Sequence, residues 1–179
     1  KKTFTTIFQE AAVRATGEII AMANYPTFDM NRRSGLTPDQ MRNRAVTDMF
    51  EPGSTFKIVM ASAATEALHW KAETPVDGHG GTLEIYNRFI RDHEPFGAMT
   101  FQKAIAESSN VVAATTAMRV GAQNFYNYAS AFGFGRKSGV GLVGESAGWL
   151  KPVSKWGSLT LPWMGYGYQV MATPLQVLQ

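Results

Sequence analysis

No cysteine occurs anywhere in the chain, so disulfides and thiolate metal sites are excluded. Charge is sparse. Only 17% of residues are Asp, Glu, Lys or Arg, and the net charge is +3. No run of Lys or Arg forms a stripe, so nucleic acid is not an expected partner and the basic residues read as a solvated surface. Long apolar runs are missing as well. The stretch from Ile58 to Leu68 is broken by Glu66, and nothing approaches the ~18 residues of a membrane span. His69, His79 and His93 stand far apart without ligand spacing, so they read as surface or core imidazoles rather than metal ligands. No secretory leader pattern is visible, and the chain begins at Lys1 without methionine, so the natural N-terminus is expected elsewhere.

What is present suits one domain with a packed core: 179 residues, 45% of them hydrophobic. Residues Glu18 to Asn24 form a short apolar run after Thr16-Gly17 and before Tyr25-Pro26, which reads as a buried strand. Asp29 to Met49 is polar and Arg-rich, and reads as irregular or loosely helical. The clearest helix opens at Glu51-Pro52-Gly53-Ser54. Phe56, Val59, Met60, Ala63, Ala64, Ala67 and Leu68 follow helical spacing, and the alanines let this helix lie close to its neighbours, so it is expected at the centre. Thr74 to Gly81 reads as turns. Leu83, Ile85, Asn87 and Phe89 alternate with polar residues, as one half-exposed strand would. Thr100 can cap a helix carrying Ala104 and Ile105, which Ser108-Ser109-Asn110 interrupts by competing for backbone hydrogen bonds. Helix resumes from Val111 to Met118. Another is expected from Ala122 to Phe132, with Phe125, Ala129 and Phe132 inward and Gly133 ending it. Phe134 to Gly148 reads as a long glycine-rich loop. Thr173-Pro174 is an N-cap followed by proline at the first helical position.

Ser54 and Lys57 are three residues apart, which places a hydroxyl and an amine on one helical face. In the first turn, the Ser54 N–H is an unsatisfied donor suited to a developing oxyanion. A serine hydroxyl is a weak nucleophile until a base takes its proton. Lys57 can do so only when neutral, and a free lysine has a pKa of about 10.4. Burial or a nearby cation must favour the neutral amine, or another group must relay the proton. By itself S-x-x-K is a weak motif, since a capping serine and a surface lysine give the same letters.

The surroundings sharpen it. The string Phe50-Glu51-Pro52-Gly53-Ser54-Thr55-Phe56-Lys57 resembles the active-site signature of class B penicillin-binding proteins, with a lean toward their cell-division branch. Ser108-Ser109-Asn110 resembles that superfamily's second signature, S-x-N. The run from Thr16 to Asn24 is similar to the family's strand before the active-site helix. Phe132-Gly133-Phe134-Gly135 with Gly144-Glu145, Gly165-Tyr166-Gly167-Tyr168, and Ala172-Thr173-Pro174-Leu175-Gln176 match further family segments in order. The resemblance therefore runs from about residue 16 to residue 179. It implies an α+β fold: an antiparallel sheet flanked by helices, meeting a helical lobe with the site between them. Two departures stand out. The family's third motif, K-[ST]-G, is expected beyond Gln179, and Lys137-Ser138-Gly139 is rejected as that motif because it sits in the glycine-rich loop. Lys1 to Ala15 leaves little room for the helix and strand that precede Thr16 in the family. Residues 1–179 are accordingly expected to be a partial transpeptidase domain, incomplete at both ends.

The resemblance implies a serine D,D-transpeptidase. Ser54 would be the nucleophile, Lys57 the general base, Ser108 a proton shuttle, and Asn110 a substrate-binding residue that also holds Lys57. The substrate would be a peptidoglycan stem peptide ending in D-Ala-D-Ala, β-lactams would acylate Ser54, and no metal or organic cofactor would be needed. Partners in cell-wall synthesis would belong to the whole protein, a single-pass protein at the outer face of the bacterial cytoplasmic membrane whose anchor lies outside this sequence. Two other readings share these letters: a β-lactam-hydrolysing or β-lactam-sensing relative, and a non-catalytic binding module. The intact Ser54, Lys57, Ser108 and Asn110 argue against the module. Trp149, Trp156 and Trp163 are expected to pack in core or loops rather than to line a groove. Asp92 and Glu94 are expected to be solvated and receive no role.

Overall fold

The computed structural model describes residues 9–13, 18–25, 27–29, 31–32 and 34–179. The Thr16-Gly17 turn and Pro26 lie outside them. Strand β1 (Gln9–Val13) pairs antiparallel with β2 (Ile19–Asn24), with a bulge between Ala12 and Val13. A strand thus does fit ahead of β2, where the sequence left little room for one.

Helices α1 (Pro38–Met41) and α2 (Arg44–Thr47) organise the polar stretch that follows. Thr37 and Gln40 form a reciprocal capping box on α1. Asn24 at the end of β2 accepts the Arg44 N–H at 3.0 Å, which ties α2 to the strand. The Arg44 guanidinium is nearly buried between Asp39 and Asp48, at 2.5 and 3.2 Å. Breaking that pairing would strand a charge away from water.

A 3-10 turn (Gly53–Phe56) leads into α3 (Lys57–Ala67). Phe56, Val59, Met60, Ala63 and Ala64 are fully buried, as their spacing predicts. The stripe ends one turn early: Ala67 is exposed and Leu68 half-buried, because α3 stops there.

The next segment departs most from the sequence reading. Pro75–Asp77, expected as turn, is strand β3. The single strand expected from Leu83 to Phe89 is a hairpin, β4 (Thr82–Ile85) and β5 (Arg88–Arg91). Tyr86 and Asn87 turn it with φ of 49° and 58°. Two adjacent positive φ values define the two-residue turn that matches strand twist. Leu83 thereby faces Ile90 across the ladder. Strand β6 (Ala98–Thr100) closes on β3. Among the described residues the strands form three separate two-stranded antiparallel ribbons.

Helices α4 (Phe101–Ala106), α5 (Asn110–Val120) and α6 (Ala122–Ala131) follow. Thr100 caps α4, its hydroxyl accepting the Lys103 N–H at 3.2 Å. Gly133, with φ 93°, ends α6 with Phe134 N–H returning to Ala129. Phe125 and Ala129 are buried, whereas Phe132 is 43% exposed because it sits past the last helical turn. Helices α3, α5 and α6 share one core, in which Phe56 meets Phe125 and Phe134 at 6.3 and 4.7 Å.

The chain then runs through its glycine-rich loop to α7 (Thr160–Met164) and α8 (Pro174–Leu178). Helix α8 has the expected Thr173 cap and Pro174 start, completed by Gln176 into a capping box. Trp156 and Trp163 pack as expected, whereas Trp149 is 46% exposed. Trp156 donates to Lys151 O at 2.8 Å and meets Tyr126, Trp149 lies under Lys151 Nζ, and Trp163 joins Ile90, Val111 and Ala114.

Candidate active site

Ser54 occupies the 3-10 turn that precedes α3, and Lys57 is the first residue of the α-helix. The tighter turn follows from Gly53, whose φ is 58°, and from Thr55, whose hydroxyl bonds back to Pro52 O at 2.8 Å. Ser54 is exposed while Lys57 is only 5% exposed, so a reachable hydroxyl sits over a buried amine.

A second segment holds this turn in place. Gly53 N–H donates to Gly167 O at 3.0 Å. Phe50 and Ala172 exchange both backbone hydrogen bonds, at 3.0 and 2.9 Å. Glu51 accepts the Gln169 N–H at 3.0 Å. A Cβ at Gly167 would lie 1.9 Å from Gly53 O, so only glycine permits this approach. The Gly-Tyr-Gly-Tyr segment is therefore a strap across the serine turn. Its Tyr166 phenol is pushed up to about 12 by burial and then by Tyr168, and stays neutral.

Ser108 and Asn110 arrive from the break between α4 and α5. Ser108 has φ 54°, the left-handed conformation that keeps the two helices from merging. Its hydroxyl lies 3.1 Å from Ser54 Oγ and 3.0 Å from Lys57 Nζ. Lys57 Nζ also donates to Ser108 O at 2.5 Å and to Asn110 Oδ1 at 2.8 Å. Ser54, Lys57, Ser108 and Asn110, separated by up to 56 positions, thus form one hydrogen-bonded cluster. Ser54 and Lys57 are joined through Ser108.

Burial lowers the Lys57 pKa to about 8, against the pull of the Asp92 carboxylate, which raises it. The neutral amine is thereby brought near physiological pH without a second cation.

Asp92 corrects the sequence reading, which left it solvated and without a role. Its carboxylate accepts Ser109 Oγ at 2.6 Å, Asn110 N–H at 2.5 Å and Val111 N–H at 3.1 Å. No sequence signal marks this, because Asp92 lies 17 to 19 positions from these partners. Lys137-Ser138-Gly139 lies in coil, not on a strand, and the Ser138 N–H and hydroxyl both bond Glu145, at 2.6 and 2.5 Å. Those letters serve the loop. Among the described residues no group of three His, Asp or Glu could hold a metal ion, and no helix is long and apolar enough to cross a membrane.

The penicillin binding protein transpeptidase domain matches residues 11–179 of this chain. The chain belongs to that family. It is 32% identical over 162 residues to the peptidoglycan D,D-transpeptidase FtsI of Escherichia coli K12, covering 90% of this chain and 27% of that protein. Against the penicillin-binding protein PbpB of Mycobacterium tuberculosis the figure is 36% over 165 residues, covering 90% and 24%. This chain therefore spans about a quarter of the length of those relatives. The crystal structure of penicillin binding protein 3 from Mycobacterium tuberculosis, complexed with aztreonam, superposes with a TM-score of 0.81 at 36% identity, covering 90% of this chain and 37% of that one. The apo transpeptidase domain of Burkholderia pseudomallei penicillin-binding protein 3 gives 0.77 at 30%, covering 89% and 44%. The mixed helix and sheet architecture with small antiparallel sheets is that of these domains.

Proposed function

We propose that this chain carries the acyl-accepting machinery of a peptidoglycan D,D-transpeptidase, with Ser54 as nucleophile, Lys57 as general base, Ser108 as proton shuttle and Asn110 as substrate and lysine anchor. The observation that carries the reading is the path Ser54 Oγ to Ser108 Oγ to Lys57 Nζ, at 3.1 and 3.0 Å.

Counting hydrogens gives that path a direction. As an ammonium, Lys57 has three donors and meets three oxygens. As a neutral amine it has two donors and one lone pair. Ser108 O and Asn110 Oδ1 can only accept, so they keep the two donors. The lone pair must then face Ser108 Oγ, whose hydrogen turns to Lys57. That frees a Ser108 lone pair for the Ser54 O–H. Loss of one proton from Lys57 thus aligns the chain to draw the proton off Ser54.

Ser54 Oγ then attacks the carbonyl of the penultimate D-alanine. The C–N bond to the terminal D-alanine breaks, and the proton returns through Ser108 to the departing amine. The Ser54 N–H, in the first turn, is one oxyanion donor. An amine of a neighbouring stem peptide takes the acyl group, restoring Ser54 and forming the cross-link. A β-lactam opens at the same oxygen but its amine stays tethered, so the adduct keeps the whole drug mass. The division-type relatives and the Phe50–Lys57 string support a role in cell division, outside the bacterial cytoplasmic membrane.

Intact-mass spectrometry of the full-length protein after exposure to a penicillin tests this. One added penicillin mass is expected, absent in Ser54→Ala. Labelling of Ser54→Ala, or none in the wild type, overturns the assignment, and rapid loss of the adduct points to a hydrolase. Acylation at limiting drug should rise with pH and level off above about 8, because the active amine is the deprotonated one. A rate that falls through that range contradicts Lys57 as base.

A further inference from the structure

Ser108 can bridge Ser54 and Lys57 only while its backbone stays in the left-handed region, with φ 54°. That conformation costs of order 1–3 kcal/mol for a residue other than glycine. Something must hold the turn there. The N–H groups of Asn110, Val111 and Val112 are held by two side chains. Asp92 accepts the N–H groups of Asn110 and Val111, and the Ser109 hydroxyl accepts that of Val112 at 3.0 Å. Asp92 accepts the Ser109 hydroxyl in turn. The first three N–H groups of α5 are thus satisfied, with a carboxylate at the positive end of the helix. Asn110 Nδ2 also donates to Arg91 O at 3.1 Å, leaving its Oδ1 aimed at Lys57. Asp92 is itself anchored, its N–H donating to Gly81 O at 2.9 Å.

We propose that Asp92, at the end of β5, is a positioning residue for the acylation machinery: it clamps the start of α5 so that Ser108 and Asn110 meet Lys57 and Ser54. This rests on the roles given to those four residues above. Asp92 touches neither Ser54 nor the substrate in this account, and acts through the turn and through its charge.

The charge has a direction. The Asp92 carboxylate favours the Lys57 ammonium. The groups facing Lys57 from the α4–α5 break, Ser108 and Asn110, are uncharged. Tyr166 stays neutral. Arg91 lies over the Phe89 ring at 5.5 Å, His93 packs on Phe96, and Arg91, His93 and Glu94 are all exposed. Removing the Asp92 charge should therefore let Lys57 lose its proton at lower pH.

The test uses the full-length protein with Asp92→Asn and Asp92→Ala, read by penicillin acylation rate against pH and by thermal melting. Asn keeps an oxygen for the Asn110 and Val111 N–H groups and a donor for Ser109. Its plateau rate should stay within about 5-fold of wild type while the acid limb moves to lower pH. Ala loses the clamp as well, and its plateau should fall by about 100-fold. If Asp92→Ala folds and acylates at the wild-type rate with the acid limb unmoved, Asp92 is a helix cap and nothing more. If Asp92→Ala does not fold, an unmoved limb in Asp92→Asn overturns the proposal. Should the wild type not acylate at Ser54, the roles proposed for the four residues fail instead. Amide exchange at Asn110 and Val111 and the Lys57 titration by NMR then decide for Asp92: faster exchange in Asp92→Ala and earlier deprotonation in either variant support it, and unchanged values refute it.

Discussion

Lys57→Ala is expected to slow penicillin acylation of Ser54 by about 1000-fold, midway in the range that a positioned base contributes. The amine is the group that accepts the Ser54 proton through Ser108, and among the described residues no other basic side chain bonds to the pair. Lys57→Arg should not rescue the rate. A guanidinium keeps its proton at every accessible pH and has no acceptor lone pair. The pair of variants therefore separates basicity from positive charge. Thermal melting must accompany both, since Lys57 is buried and its removal leaves Ser108 O and Asn110 Oδ1 short of a donor. A folded Lys57→Arg protein that acylates at more than about a tenth of the wild-type rate would show that charge, not proton transfer, is what Lys57 supplies.

The second large effect is expected from a single methyl group. Gly167→Ala places a Cβ 1.9 Å from Gly53 O and 2.6 Å from Gly53 C, at a residue whose φ is 88°. Neither atom is the end of a flexible side chain, so the backbone must part. The Gly53 N–H to Gly167 O bond goes with it, and the serine turn loses its strap. A loss of at least ~3 kcal/mol is expected from strain and overpacking together. That is a fall of roughly 6–12 °C in the melting midpoint of the domain, with penicillin labelling abolished. Gly133→Ala is the matched control. Its φ is 93°, equally unsuited to alanine, but nothing lies within 4 Å of the added carbon. It should cost about 1–2 kcal/mol and leave labelling intact. Equal effects at the two positions would mean that backbone conformation, not close approach, is what glycine provides at 167.

The sequence made local features readable. The α3 stripe, the Thr100 and Thr173 caps and the break at Ser108 each depend on residues within about one or two helical turns, and each is in place. Features set by distant partners were not readable. Strand β3 is three residues long and begins with proline; its reason for being extended is β6, some 23 positions on. The hairpin was hidden because Tyr86-Asn87, unlike Asn-Gly, carries no strong turn signal. Of the site, the four chemical groups could be named from motifs. The order in which they touch could not, since i, i+3 spacing places Ser54 and Lys57 on one face but leaves open whether another group relays the proton, and the fold routes the link through Ser108. Asp92 had no local signature at all, because its carboxylate answers N–H groups that converge only once α5 has formed.

Gly165 and Gly167 together act as a ruler. Gly165 lies against the α5 backbone, where an added Cβ would be 2.6 Å from Ala113 O, and Gly167 against Gly53. Two fixed stops, two residues apart, connect the helix that carries Asn110 to the turn that carries Ser54. The protected quantity in this stretch is therefore length more than composition. Tyr166, half-buried between the stops, packs against the core and Tyr168, and an insertion or deletion of one residue would slide one stop off its seat.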